Sequence, residues 1–127
     1  MKKESKNRAL YIDGFLLPLP SKNLKAYQLI SKKAGKVWKE HGALEYRECV
    51  GDDLAVKMGL AFTDIVNVKR GETVVFSWIT YKSRAHRDKV NAKVMSDPRL
   101  SKMMDINKMP FEVKRMSYGG FKIIVDI

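Results

Sequence analysis

The alternation of apolar and polar residues divides the first half of the chain into three segments. Residues 9–17 are rich in aromatic and aliphatic side chains and predict a strand that stops at Pro18 and Pro20, because proline cannot donate to a ladder. Ser21 offers a helix N-cap, and one helical face then recurs at steps of three and four residues: Leu24, Tyr27, Ile30, Ala34, Val37, Trp38 and His41. We expect Gly42 to end this helix and residues 43–50 to form a second strand.

The middle of the chain contains the segment with the weakest pattern and the one with the strongest. Residues 54–70 keep neither a helical nor an alternating pattern, so we expect a loop with some extended structure. Residues 73–81 are dominated by β-branched and aromatic side chains, which suit a pleated surface. This composition predicts a third strand.

The last third of the chain predicts one more helix and one more strand. Ser83 can cap a helix that runs to about Ser96, and the Asp97-Pro98 step favours a boundary before a short turn through Met104. Residues 112–127 look extended, with a bulge or bend at the glycine pair 119–120.

The resulting order, βαββαβ, predicts an α+β fold of the ferredoxin-like sandwich type, whose helices cover one face of the sheet. In the third strand, however, apolar side chains point both ways: Val74, Phe76 and Trp78 to one face, and Val75, Ile79 and Tyr81 to the other. Residues 123–125 repeat the pattern in the fourth strand. We therefore expect the uncovered face to pack on a second copy of the sheet in a homodimer.

The composition is that of one globular domain. The chain has 127 residues, 45% of them hydrophobic and 31% charged, which excludes disordered, collagen-like and disulfide-dense proteins and any enzyme that needs two large lobes. We expect residues 1–7 to form a disordered basic tail and residues 8–127 to form the domain. The single cysteine, Cys49, excludes an internal disulfide, and nothing predicted near it would activate the thiol, so we expect it to be buried and structural.

The cellular location follows from two further features of the sequence. The basic N-terminus has neither the uninterrupted apolar run nor the cleavage site of a signal peptide, and no apolar run reaches the length of a membrane span. We therefore expect a cytoplasmic protein without a membrane partner.

The net charge of +11 raises the question of a polyanionic partner. Much of the excess consists of lysines on the predicted first helix, where an exposed solvated face is the ordinary explanation. We do not expect nucleic acid to be the main partner. A non-catalytic dimer that binds nucleic acid or another polyanion through its lysine-rich helices is the alternative function.

Four stretches of the sequence resemble the YbaA-like family of small bacterial proteins of unknown function. They are Tyr-Ile-Asp-Gly-Phe at 11–15, the block from Ala-Gly-Lys-Val-Trp to Val-Gly-Asp-Asp at 34–53, Ser-Arg-Ala-His-Arg-Asp-Lys-Val at 83–90 within a match to 95, and Tyr-Gly-Gly-Phe at 118–121. The resemblance implies the dimeric α+β barrel superfamily, in which two ferredoxin-like protomers join their sheets. That superfamily places ligands between the helices and the sheet, and it includes cofactor-free monooxygenases as well as haem enzymes.

A fold of this kind does not by itself fix a reaction. We expect a cavity for a small apolar or aromatic molecule, with cofactor-free oxidation or isomerisation as the most that could occur there, and we predict no cofactor. Six aromatic side chains could line the cavity or, alternatively, fill the core or the dimer interface: Tyr27, Trp38, Tyr46, Phe76, Trp78 and Tyr118.

Two residues are candidates for acid or base chemistry. Asp13 lies inside an apolar strand, where a carboxylate is costly unless it is paired or functional. A salt bridge to Arg115 or Arg84 is the structural alternative. His86 is expected in the first turn of the second helix, where the helix dipole favours a neutral imidazole that can exchange a proton.

A metal site at His41, Glu45 and Glu48 is not expected. Gly42 separates the histidine from the second strand, and on that strand the two glutamates would point to opposite faces. The three side chains would therefore not converge on one ion.

Overall fold

The computed structural model describes residues 8–127, so the predicted basic tail lies outside the described residues. The strands are β1 (Tyr11–Pro20), β2 (Glu45–Val50), β3 (Glu72–Tyr81) and β4 (Ser117–Lys122). The helices are α1 (Leu24–Glu40), α2 (Phe62–Ile65), α3 (Arg84–Met95) and α4 (Pro98–Met103). Single 3₁₀ turns lie at Ser21–Asn23, Ile106–Lys108 and Val113–Arg115.

The four strands form one antiparallel sheet in the order β2-β3-β1-β4. The two long strands, β1 and β3, pair along their whole length at the centre, and the two short strands form the edges. The predicted α+β class with four strands and helices is therefore confirmed.

Strand β1 continues through both prolines, so the prediction that it stops at Pro18 is wrong. Pro18 lies opposite Val74 and Pro20 opposite Glu72, whereas β4 pairs with β1 only as far as Leu16. Beyond Leu16 one side of β1 is a free edge, where a missing backbone donor is tolerated.

The helix boundaries follow local capping chemistry at two of the three predicted positions. Gly42 has φ +117°, the left-handed conformation that ends a helix, and it follows the last turn of α1. The Ser83 hydroxyl accepts the backbone N–H of His86 and caps α3 as predicted. Ser21 does not cap α1, because residues 21–23 form a 3₁₀ turn before the helix.

The C-terminal strand is shorter than predicted. Residues 113–115 form a 3₁₀ turn, and β4 ends at Lys122, so residues 123–125 lie outside it. Ile124 and Val125 are mostly exposed. The glycine pair 119–120 pairs in register with Gly14 and Asp13, so the predicted bulge is absent.

The core lies between the sheet and the helices. On the inner face, Ile79 and Tyr81 are buried in one cluster with Val37, Val90, Val94 and Leu100 of the helices. Leu17, Leu19 and Val75 are buried in a second cluster with Tyr27 of α1. Burial of aliphatic and aromatic area on this scale is the main force that holds the layers together.

The outer face of the sheet is apolar at its centre and partly uncovered. Phe76 of β3 is 46% exposed and Phe121 of β4 is 60% exposed. Phe76 packs between Trp78, at a centroid distance of 5.6 Å, and Phe62 of α2, at 6.2 Å. The segment between β2 and β3 thus covers part of this face with a short helix, and it has no strand, contrary to the expected extended structure.

Candidate functional site

A cavity of about 170 Å³ lies between α1 and the inner face of the sheet. Five α1 side chains at helical spacing form one wall: Tyr27, Ile30, Ser31, Ala34 and Trp38. Inward-facing residues of β1, β2 and β3 form the opposite wall, among them Phe15, Leu17, Tyr46, Glu48, Ser77 and Ile79. The walls are apolar apart from a few hydroxyl groups, the Glu48 carboxylate and Arg47, which pairs with Glu45 on the outer face at 3.7 Å.

The third wall comes from the segment between α4 and β4. It supplies four side chains, Met104, Met109, Phe111 and Met116, and contains only single 3₁₀ turns. Phe111 packs edge-on against Tyr27 at a centroid distance of 5.6 Å. Because methionine side chains are flexible and polarisable, this wall can adapt to the shape of a bound molecule.

The polar centre of the cavity is a carboxylate held by two phenols. The Tyr27 hydroxyl donates to Glu48 Oε1 at 2.7 Å, and the Tyr46 hydroxyl donates to Glu48 Oε2 at 2.8 Å. Burial raises the pKa of both tyrosines, and the nearby Glu48 charge raises the pKa of each further. Both hydroxyls therefore remain protonated donors at neutral pH.

The register of β2 explains why these groups meet. Tyr46 lies opposite Ile79 and Glu48 opposite Ser77, so both β2 residues point inward with the buried residues of β3. Ser31, one helical turn after Tyr27, lies on the same face of α1 and lines the same cavity. Alternation on the strand and a four-residue step on the helix thus place the polar groups together.

A close approach of helix and sheet fixes Tyr46. A Cβ atom built on Gly35 would lie 2.7 Å from Cδ1 and 2.9 Å from Cε1 of the Tyr46 ring. These distances are shorter than van der Waals contact, so only glycine lets the ring occupy this position.

We therefore expect Gly35→Ala to destabilise the protein. Alanine is favoured over glycine by about 1 kcal/mol inside a helix, yet overpacking costs about 1 to 3 kcal/mol, so the net loss should be about 1 kcal/mol in urea unfolding. The same substitution in a Tyr46→Ala background should stabilise the protein, because the ring is gone. A stabilising effect of Gly35→Ala in the wild-type background would contradict this packing.

Three of the six aromatic residues predicted from the sequence present their rings to this cavity: Tyr27, Trp38 and Tyr46. Trp78 also borders it, but its ring lies on the outer face of the sheet, 5.6 Å from that of Phe76. Phe76 lies on the outer face of the sheet. Tyr118 lies on β4, 72% exposed, with its ring stacked on Phe15 at 5.9 Å.

Asp13 is buried beneath α3 and does not line the cavity. Arg87 Nη1 donates to Asp13 Oδ1 at 2.6 Å, and the same guanidinium lies 5.1 Å from the centre of the Tyr11 ring. Burial raises the pKa of the Asp13 carboxyl, and the Arg87 charge opposes that shift. The expected partners, Arg115 and Arg84, are wrong, because Arg115 pairs with Glu72 at the other end of the sheet.

His86 also lies outside the cavity lining, in the first turn of α3 as predicted. Its Nδ1 accepts the backbone N–H of Lys82 at 2.9 Å, and its ring packs edge-on against Tyr81 at 5.9 Å. Burial and the Lys82 charge lower the pKa of the imidazole, which therefore stays neutral at physiological pH.

The remaining candidates are separated from one another. His41 Nε2 lies 2.8 Å from Asp97, and Glu45 lies beside Thr80 on the outer face, away from Glu48. No group of three possible metal ligands occurs within residues 8–127. Cys49 is exposed, so its predicted burial is wrong; it sits on the outer face of the edge strand β2, which has no neighbour on one side.

Sequence reasoning considered Glu48 only as a metal ligand. The sequence does carry a signal for Glu48. It lies two residues from Tyr46 on an alternating strand, so its carboxylate lies on the same, buried face. Asp13, a buried carboxylate on the apolar strand β1, meets the same criterion.

The comparisons with known proteins show the family of this chain. A family model described as a protein of unknown function, DUF1428, matches residues 10–113. The chain belongs to the DUF1428 family. It is 42% identical over 116 residues to the uncharacterized protein YbaA of Escherichia coli strain K12, a match that covers 91% of this chain and 97% of the relative. Its identity to YbaA of Shigella flexneri is the same. The resemblance to YbaA-like proteins is thereby confirmed.

Two solved structures share the fold of this DUF1428 protein. A NIPSNAP family protein of unknown function from Agrobacterium tumefaciens C58 superposes with a TM-score of 0.57 at 16% identity, over 91% of this chain and 88% of that one. A NIPSNAP domain protein from Burkholderia xenovorans gives a TM-score of 0.56 at 12% identity, over 88% and 92% of the two chains. At these identities the likeness shows the fold alone. No helix among residues 8–127 has the length and apolar character needed to cross a bilayer.

Proposed function

We propose that this DUF1428 protein is a cytoplasmic homodimer in which each protomer binds one small apolar or aromatic molecule between α1 and the sheet. The observation that carries the proposal is the cavity of about 170 Å³ with aromatic and methionine walls. An apolar cavity of about 150 Å³ can hold one benzene molecule, so this one suits a single ring with a short substituent.

The second copy is proposed to cover the outer face of the sheet. This face is apolar along β1 and β3, with Ile12, Leu16, Phe76 and Trp78, whereas its charged residues lie on the edge strand β2. An apolar centre with a polar rim is the usual anatomy of a protein interface. Two such faces packed together would form the dimeric α+β barrel that the family resemblance implies.

Binding, rather than a particular reaction, is what the geometry favours. Cofactor-free oxidation or isomerisation would need a group that accepts a proton from the bound molecule. Asp13 and His86 stay candidates for that role, although both lie outside the cavity lining. The lysines of α1 do not favour a polyanion, because the groove lined by Lys32, Lys36 and Lys39 also contains Glu40 and Glu48.

Titration calorimetry with 2-phenylethanol tests the binding proposal, since its ring and two-carbon chain match the size of the cavity. We expect saturable binding of one molecule per chain to the wild type. In Ala34→Leu, which adds three carbon atoms to a buried wall of the cavity, binding should be lost while the fold is retained. Equal binding by both proteins would place the molecule elsewhere and overturn the proposal.

A further inference from the structure

Glu48 gives the cavity a chemical preference that its apolar walls do not. Of the described residues that line the cavity it is the only carboxylate, and the one cation, Arg47, pairs with Glu45 on the outer face at 3.7 Å. Each of its two oxygens accepts one phenolic hydroxyl, from Tyr27 and from Tyr46, and each keeps further lone-pair capacity. The carboxylate is therefore held in place without being saturated.

Among the residues that the structure describes, no cation lies within ion-pair distance of Glu48. Among residues 8–127, every ion pair within 4.0 Å involves other carboxylates, and the groups that touch Glu48 are neutral phenols. By contrast, the buried Asp13 is paired with Arg87 at 2.6 Å. A charge in apolar surroundings is costly unless it is paired. Glu48 can therefore gain from pairing with a positive group of a ligand, whereas Asp13 is already paired.

The surroundings of Glu48 suit a positive group bound to an apolar body. The rings of Tyr27, Tyr46 and Trp38 line the same cavity, with Trp38 and Tyr46 6.1 Å apart between centroids. Aromatic faces attract cations through their quadrupole, and the effect strengthens where water is excluded. A carboxylate beside several rings is thus an arrangement that selects an ammonium group.

Glu48 also lies where a ligand's polar end would be. Three residues, Ser31, Tyr46 and Glu48, line both the interior cavity and an open groove beside α1. A ligand with its apolar body inside would leave its head group at this junction. The groove lysines are exposed, and salt screens charges at the surface over about 8 Å, so direct contact with Glu48 dominates the selection.

We infer that the ligand is a small primary or secondary amine with an aromatic or aliphatic body, whose ammonium group donates to Glu48 while its apolar part fills the cavity. This inference rests on the proposed function, because it names the ligand class of the same cavity. The inference adds a positive charge to the ligand, which the volume and the apolar walls of the cavity do not by themselves require.

Three probes of one shape test the inference: 2-phenylethylamine, 2-phenylethanol and phenylacetate. They share a phenyl ring and differ at the head group, which is positive, neutral and negative at pH 7. Calorimetric titration of the wild type should show the amine binding about tenfold tighter than the alcohol, with phenylacetate weakest. The ammonium adds Coulomb attraction to the hydrogen bond that the alcohol also makes, whereas the phenylacetate carboxylate repels Glu48.

Two variants test whether Glu48 is the cause of the preference for the amine. Glu48→Gln removes the charge with little change in shape, and it should abolish the preference for the amine over the alcohol. Tyr27→Phe removes one phenolic donor and should strengthen the preference, because the carboxylate then lacks a partner. Circular dichroism of each variant checks the fold.

The outcomes separate the two proposals. If the alcohol binds and the amine is not preferred, or if Glu48→Gln keeps the wild-type preference, the amine inference fails and the binding proposal stands. If none of the three probes binds to the wild type, both proposals fail.

Discussion

Replacing Arg87 by methionine is expected to lower the free energy of unfolding by about 3 to 5 kcal/mol, because the substitution leaves the Asp13 carboxylate buried without its partner. Asp13 is 5% exposed, and Arg87 Nη1 lies 2.6 Å from its Oδ1. Methionine preserves much of the packing over the Tyr11 ring, so the loss reports mainly on the stranded charge. Urea unfolding at a fixed protein concentration measures it.

Arg84→Met is the matched control for Arg87→Met. Arg84 lies one turn earlier on α3 and is exposed, so its replacement should change the free energy of unfolding by less than about 0.5 kcal/mol. Adding Asp13→Asn to Arg87→Met should recover part of the loss, because it removes the unpaired charge. A loss below about 1 kcal/mol in Arg87→Met would show that the pair is not what keeps Asp13 in the core.

Phe76→Lys is expected to convert the proposed dimer into monomers that stay folded. Phe76 lies at the centre of the outer sheet face and is 46% exposed in the single chain, so a lysine there can reach solvent in the monomer. In the proposed dimer the same lysine would be desolvated without a partner, and loss of a central aromatic anchor alone costs about 2 to 4 kcal/mol of association. Analytical ultracentrifugation at several concentrations measures the shift, which should be at least about a hundredfold in Kd.

Leu29→Lys provides the control for the Phe76 substitution. Leu29 is 58% exposed on α1, on the opposite side of the sheet, so the same apolar-to-lysine change there should leave the dimer intact. Unfolding curves of both variants show whether the monomer keeps its stability. A Phe76→Lys protein that remains a dimer would exclude the outer face as the interface.

Local sequence patterns predict most of the secondary structure correctly. Strand β3 matches its prediction to within one residue, because β-branched and aromatic residues dominate it. Helix α3 begins at its predicted serine cap, and α1 ends at its predicted glycine. Where the prediction failed, tertiary pairing decided: Pro18 is tolerated because β4 is too short to pair with that part of β1.

The candidate site was only partly readable from the sequence. Helical spacing indicated Tyr27 and Trp38, and alternation indicated Tyr46, all of which line the cavity. The partner of Asp13 depends on how α3 packs over the sheet, a long-range contact that no local pattern encodes. The role of Glu48 depends on two phenols that come from different elements, so the sequence alone could not bring them together.

The main proposal is that the protein in the cell is a dimer with one small molecule bound to each protomer. Native mass spectrometry of protein purified gently from cells tests this proposal most directly. The prediction is a species at twice the 14.6 kDa chain mass, plus a small molecule that dissociates on activation and is absent from the Ala34→Leu variant. A bare monomer for the wild-type protein would contradict both the shared outer face and the occupied cavity.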